Sequence, residues 1–265
     1  ASWQGVVDWP AVYASGIRIV FVKAMEGVGE HYPTWRSQSE GARLAGLHVI
    51  PYLYMRPENP KQVVNAFARV TGLSKGVAFA LDWEGRASQT ASAEEAEQIG
   101  EELAIIAGRK PIGYWGIPGS TPSMPTEKML AWPRWVPRYP QTGITSWEMM
   151  REPVRGQPSS YWIKGGSVGL PKFGQYTAWG RVPGVRGDVD RSVAFFPSEA
   201  DALAWCRGDE EPKSEPTGDV IEQILANNNF VGGVKVYQLQ RNLVVDGLIG
   251  RITLTRIGED MRKPR

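Results

Sequence analysis

The sequence predicts an α/β fold, an irregular barrel with α/β units first and bare strands later, and two observations predict it. Apolar, β-branched runs of strand length alternate with helix-length segments as far as Trp115, the pattern of successive β-α units. From Gly116 to Gly174 the chain is instead dense in Pro, Gly and Trp and keeps only brief strand-like pieces. A β-α-β-α-β order implies parallel strands joined by right-handed crossovers. A doubly wound open sheet is the competing architecture. It is less favoured, because no Gly-rich phosphate fingerprint follows an early strand.

The elements follow in order. Asp8-Trp9-Pro10 ahead of Ala11 to Ala14 reads as a helix start capped by Asp8, which accounts for that acid without catalysis. Ile17 to Ala24 (IRIVFVKA), Leu47 to Met55, Val77 to Asp82 and Pro111 to Trp115 read as buried strands. Between them, Pro33 to Ala45 carries charged and small residues, and Pro60 to Val70 sets Val63, Val64, Phe67 and Val70 on one helical stripe. Ala91 to Ala107 opens with Ser92 and Glu95 in capping-box spacing. Later come short strands at Arg134 to Tyr139, Phe173 to Ala178 and Val189 to Phe196, then a short helix from Ser198 to Cys206.

A barrel domain is therefore expected over residues 1–206. Residues 207–218 (RGDEEPKSEPTG) are polar, acidic and Pro-containing, which is linker chemistry. Residues 219–265 form a small helical unit, with helices expected at Val220 to Ala226 and Val234 to Leu243 and a turn at Asp246-Gly247. That length is near the lower limit for independent folding, so the unit either stands alone or docks on the barrel.

Composition narrows the function. Of 265 residues, 42% are hydrophobic and 22% charged, as in soluble globular chains, and the net charge of +2 gives no electrostatic footprint for nucleic acid. The single cysteine, Cys206, excludes an internal disulfide, and zinc-type Cys/His spacing is absent. His31 and His48 are isolated and read as surface or loop residues. No run is long enough to span a bilayer, so membrane insertion is not expected. The opening Ala1-Ser2-Trp3-Gln4 lacks the basic and apolar regions of a signal peptide. On that reading the protein is either phage-encoded and released from a host cytoplasm or a mature secreted form. Eleven Trp and nine Tyr supply flat apolar faces, which serve the core or stack on sugar rings.

The strand ending Leu81-Asp82-Trp83-Glu84-Gly85 carries the chemistry. Residues two apart on an extended segment project to one side, with Cα atoms roughly 6.5 Å apart. Asp82 and Glu84 then emerge together at the carboxyl end of a strand, where parallel α/β folds place their sites. Two carboxyls that close cannot both ionise cheaply, so one retains a proton. A protonated carboxyl is what a general acid needs to protonate a glycosidic oxygen.

Several ordered signatures, spread over roughly residues 1 to 196, resemble glycoside hydrolase family 25, the cellosyl-type lysozymes of bacteria, fungi and phages. They are Ser2-Trp3-Gln4-Gly5 with Val7-Asp8-Trp9; Gly16 to Gly27; Ala42 to Tyr52 with Arg56-Pro57; Leu81 to Gly85; Gln175-Tyr176; and Val182 to Val193. The resemblance implies hydrolysis of the β-1,4 bond between N-acetylmuramic acid and N-acetylglucosamine in bacterial peptidoglycan, on an irregular barrel, with no cofactor. It implies Glu84 as the proton donor and Asp82 as the carboxylate that stabilises the positive centre or orients the substrate's N-acetyl group. Asp190 matches the family's late cleft acid, with Asp188 the lesser candidate. Glu26 matches a cleft position, or else is a carboxylate braced by a neighbouring Arg or Lys. Tyr52 and Tyr176 are expected to line the sugar groove, with Trp83, Trp115 and Trp132 as weaker candidates.

Three departures accompany the resemblance. The family's first strand carries an aspartate about two residues ahead of the stretch matching Ala1-Ser2-Trp3, so an unpaired strand edge is expected here. Met25 stands where the family usually has Thr, and Leu53 where it often has His. The carboxyl-terminal unit is faintly similar to a small helical peptidoglycan-binding module through Leu239, Gln240, Val245-Asp246-Gly247, Gly250 and Thr253. A hairpin that only packs on the barrel is the alternative. For the whole chain, the alternatives to an endolysin-like muramidase are a non-catalytic wall-binding or virion structural protein on the same barrel, and an open α/β enzyme acting on another glycan.

Overall fold

The computed structural model describes residues 4–28, 30–31, 33–85, 88–115, 121, 123–139, 171–196 and 198–209. The strands are β1 (Ile19–Glu26), β2 (Glu30–His31), β3 (His48–Tyr54), β4 (Ala80–Asp82), β5 (Ile112–Tyr114), β6 (Arg134–Pro137), β7 (Phe173–Gly180) and β8 (Val189–Ala194). The helices are α1 (Trp9–Ala14), α2 (Trp35–Leu44), α3 (Pro60–Thr71), α4 (Ala93–Ala107), α5 (Glu127–Leu130) and α6 (Glu199–Arg207). One curled sheet runs in the order β2-β1-β3-β4-β5-β6-β7-β8. Pairing is parallel from β1 through β7, and the short β2 and the last strand β8 are antiparallel to their neighbours. The α/β barrel-like fold and the change to bare strands in the second half are as the sequence predicts. The proposed linker beyond Asp209 and the carboxyl-terminal unit lie outside the described residues.

Local chemistry sets most boundaries. Asp8 caps α1 by accepting a bond from the Ala11 amide at 3.1 Å. Asn59 caps α3, and Pro60 follows it at the first helical position. Ser92 and Glu95 form the reciprocal capping box of α4 at 3.2 and 2.8 Å. The fourth strand starts three residues later than the sequence suggests, because the Val77 amide turns back onto the Ser74 carbonyl at 3.1 Å. The four-residue α5 has no apolar stripe that periodicity could detect; the Thr126 hydroxyl caps it instead.

Side-chain alternation divides the apolar residues into two layers. Ile19, Phe21, Ile50, Tyr52, Ala80, Ile112, Tyr114, Trp135 and Phe173 fill the inside of the curl. Val20, Val22, Val49, Leu53 and Leu81 point outward and pack on Val63, Phe67, Ile99 and Leu103 of α3 and α4. Met25 and Leu53, the two departures from the family pattern, are register partners across β1 and β3. Both are fully buried in the outer layer, so their apolar exchange is a packing matter on the side away from the hollow.

Among the described residues β1 and β8 share no ladder, although side chains from both line one hollow of about 950 Å³. His48 differs from expectation: it is a strand residue, and burial together with Arg207, Arg43 and Arg109 pushes its pKa down to about 4. Its Nε2 is buried without a hydrogen-bond partner.

Two outcomes follow. An added Cβ at Gly100 of α4 would sit 2.3 Å from the Trp132 ring, so Gly100→Ala is expected to cost about 1–3 kcal/mol in denaturant unfolding. Folded His48 binds fewer protons than its unfolded form, so its contribution is intact above about 6.5 and declines as pH falls towards about 4. Thermal melts across that window should show a steeper loss for wild type than for His48→Gln.

Candidate active site

The backbone keeps sheet-like bonding past the end of β4. The Met55 amide donates to the Asp82 carbonyl at 3.0 Å, and the Trp83 amide donates to the Tyr114 carbonyl at 2.8 Å. Alternation therefore persists through Glu84: Asp82 and Glu84 line the hollow, while Trp83 between them is buried in the outer layer. The Glu84 carbonyl is pinned by two hydroxyls, Tyr54 at 3.1 Å and Thr90 at 2.5 Å. Gly85 then turns the chain away at φ 120°, a backbone conformation that suits glycine, and a Cβ there would meet Thr90 Oγ1 at 2.8 Å.

Three carboxyls share this hollow, since Asp190 of β8 lines it too. Asp82 is only 8% exposed. Burial raises its pKa well above the ordinary range, Glu84 raises it further, and Lys23 opposes. Glu84 is shifted upward by burial and then by Asp190, again opposed by Lys23. Burial raises Asp190 as well. Asp82 Oδ1 is buried and accepts no hydrogen bond from the described residues.

The surrounding wall is aromatic. Tyr52, Tyr54, Tyr114, Trp135 and Tyr139 line the hollow. Trp135 stacks on Phe21 at 3.9 Å and donates to Ser192 Oγ at 3.0 Å. Gln175 donates to the Tyr139 hydroxyl at 3.0 Å, and burial pushes the Tyr139 pKa up to about 12. Among the described residues no group of three or more His, Cys, Asp or Glu side chains is arranged to hold a metal ion.

Of the residues singled out from the sequence, Asp82, Glu84, Asp190 and Tyr52 meet in the hollow. Glu26 stands behind its wall, braced by Lys23 on one oxygen and Arg56 on the other. Burial raises its pKa, but those bonds outweigh burial and hold it below the ordinary value. Asp188 pairs with Arg181 at 2.9 Å outside the hollow. The expectation for four aromatic residues is corrected. Trp83, Trp115 and Trp132 form an outward chain of edge-to-face contacts at 6.3 and 6.4 Å. Tyr176 is not among the residues lining the hollow and sits under the Arg191 guanidinium at 5.8 Å. Trp83 and Trp115 lie on the wrong parity of their strand extensions, Trp132 lies in the turn after α5, and Tyr176 stands at a register shift in β7. Sequence reading missed Lys23, Tyr54, Tyr114, Trp135, Tyr139 and Gln175. The parity rule could have found Tyr54, two residues after Tyr52, and Tyr114, beside Asp82 in register.

Comparison with known proteins places this geometry. In sequence, 84 residues are 37% identical to an autolytic lysozyme of Clostridium acetobutylicum, covering 31% of this chain and about a quarter (26%) of that protein's length. In structure, the chain is similar to a bacterial lysozyme from Streptomyces coelicolor, with TM-score 0.59, 22% identity, and 79% of this chain and 95% of that one covered. It is similar also to a muramidase from Trichobolus zukalii (TM-score 0.59, 21% identity, 78% and 96% covered). The catalytic domain of an endolysin from Listeria monocytogenes bacteriophage P40 has TM-score 0.52 at 18% identity, with 78% and 94% covered. At these identities the structural matches speak to the fold alone. The sequence model of glycosyl hydrolases family 25 matches residues 1–185, well over half the chain, and the protein belongs to that family.

Proposed function

We propose that this protein is a muramidase that hydrolyses the β-1,4 bond between N-acetylmuramic acid and N-acetylglucosamine in bacterial peptidoglycan, acting at the cell wall. The observation that carries the reading is the pair Asp82 and Glu84, set on one side of a strand end and facing a hollow walled by aromatic side chains. Among the described residues no helix is long and apolar enough to cross a membrane.

The chemistry follows from the environment. Asp82, Glu84 and Asp190 face one hollow and are each shifted upward, so the strand-end pair gives up its last proton less readily than free carboxyls do. Glu84 is the less buried of the strand-end pair and serves as the acid that protonates the leaving glycosidic oxygen. In the form of the pair that keeps its proton on Glu84, Asp82 Oδ1, without a hydrogen-bond partner among the described residues, is placed to accept an N–H from the substrate's N-acetyl group or to face the positive centre developing at the sugar carbon. Tyr52 and Tyr139 offer flat faces to the apolar sides of the sugar rings.

Release of reducing sugar from purified peptidoglycan measures the activity. Glu84→Gln is expected to lower the rate by about 10²–10⁴-fold, and mass spectrometry of the products should find N-acetylmuramic acid at the reducing end. Equal rates for wild type and Glu84→Gln would end the enzyme reading. Stability gives a second check. Folded Asp82 holds its proton to higher pH than the unfolded chain does, so its presence costs stability as pH rises above the ordinary carboxylate range. Asp82→Asn is accordingly expected to melt higher than wild type at neutral pH and to lose that advantage in acid.

A further inference from the structure

We propose that Lys23 is a positioning residue for the acid pair, a fixed positive charge that strand alternation turns into the hollow and that a bulge in β1 lets Glu26 anchor, and that it governs how Asp82 and Glu84 divide a proton. The inference rests on the glycosidase reading above and adds a residue to it.

The bulge is legible in the strand register. Lys23 pairs with Tyr52, but the next pairing is Met25 with Leu53, so Ala24 is an extra residue on β1. In an unbroken strand, residues three apart would face opposite sides. The insertion returns Glu26 to the side of Lys23, and their side chains meet at 2.5 Å. Arg56 takes the other Glu26 oxygen, so that carboxylate is clamped between two cations. Lys23 itself is 7% exposed, lines the hollow, and lies 4.5 Å from the centre of the Tyr54 ring.

A buried ion pair is a poor way to gain stability, because an apolar pair of similar volume generally serves as well. Here the ammonium also stands among carboxyls. Lys23 meets Glu26 on its own strand and the Tyr54 ring from β3, with Tyr52 beside it in register, and Arg56 just beyond β3 holds the other oxygen of Glu26. Across the hollow stand Asp82 and Glu84 from the end of β4, Tyr114 from β5, Tyr139 after β6 and Asp190 from β8. Lys23 favours the ionised form of both Asp82 and Glu84, whereas Glu26 acts on Asp82 in the opposite sense. Glu26 thus fixes the cation and partly offsets its field. The proton that remains on the pair is one that this balance has selected.

The test is the pH profile of kcat/KM on peptidoglycan, paired with a carboxyl NMR titration that needs no turnover. Lys23→Met should move both limbs, and both carboxyl titrations, to higher pH by about one unit. Lys23→Arg, which keeps the charge, should leave them near the wild-type positions. Glu26→Gln should move them the other way, to lower pH, because a negative charge is removed while the ammonium stays. Limbs that stay in place in Lys23→Met while only kcat falls would overturn the proposal, as would an upward shift in Glu26→Gln. If Lys23→Met does not fold, the direction of the Glu26→Gln shift decides alone. If wild type and Glu84→Gln are equally inactive, the muramidase reading fails, and the NMR titrations still judge Lys23.

Discussion

Desolvation of the Asp82 carboxyl is the constraint around which the rest is arranged. A carboxylate with so little access to water is expensive in a protein interior unless it is protonated or paired, and Asp82 Oδ1 has no hydrogen-bond partner among the described residues. The neighbouring strands answer that cost in different ways. Lys23 of β1 supplies an opposing charge. Tyr54 of β3, beside Asp82 in register, uses its hydroxyl to hold the backbone of Glu84. The inner layer beneath is apolar and tightly stacked, from Phe21 and Trp135 to Phe173, which keeps the floor of the hollow low in dielectric.

The order of the sheet explains why so many groups converge. In register, Glu26, Tyr54, Asp82 and Tyr114 lie side by side across four parallel strands. That row sits at the carboxyl rim, and every parallel crossover delivers its loop to the same end. Asp190 arrives from the opposite side on an antiparallel strand, across the seam where β1 and β8 share no ladder. The hollow is consequently bounded by strands from both ends of the sheet order.

Most of the fold was legible because it rests on local rules. Capping at Asp8 and Ser92, apolar periodicity in α3 and the β-branched runs each specify an element without reference to distant residues. The acid pair was legible for the same reason, since two residues of spacing on a strand fix a common side. What escaped was set by long-range pairing. The anchoring of Lys23 by Glu26 required knowledge of the bulge, which exists only in the register of β1 against β3. Tyr139 and Gln175 meet across 36 residues of sequence. The outward tryptophans misled because a Trp beside an acid looks like a sugar platform, whereas the strand parity that brings the acids inward necessarily sends Trp83 the other way.

Trp83 gives that last point a wider meaning. Its side chain is rooted in the outer layer, donating to the Ala91 carbonyl at 2.7 Å just ahead of α4 and meeting Trp115 edge-on. A single indole thus rivets the peptide between the two acids to the helical shell. The shell acts as a mould for the reactive groups, and small displacements in it are transmitted to them within one residue. A change in an apolar side chain of that shell is consequently felt twice, by the packing it belongs to and by the two carboxyls it holds in place.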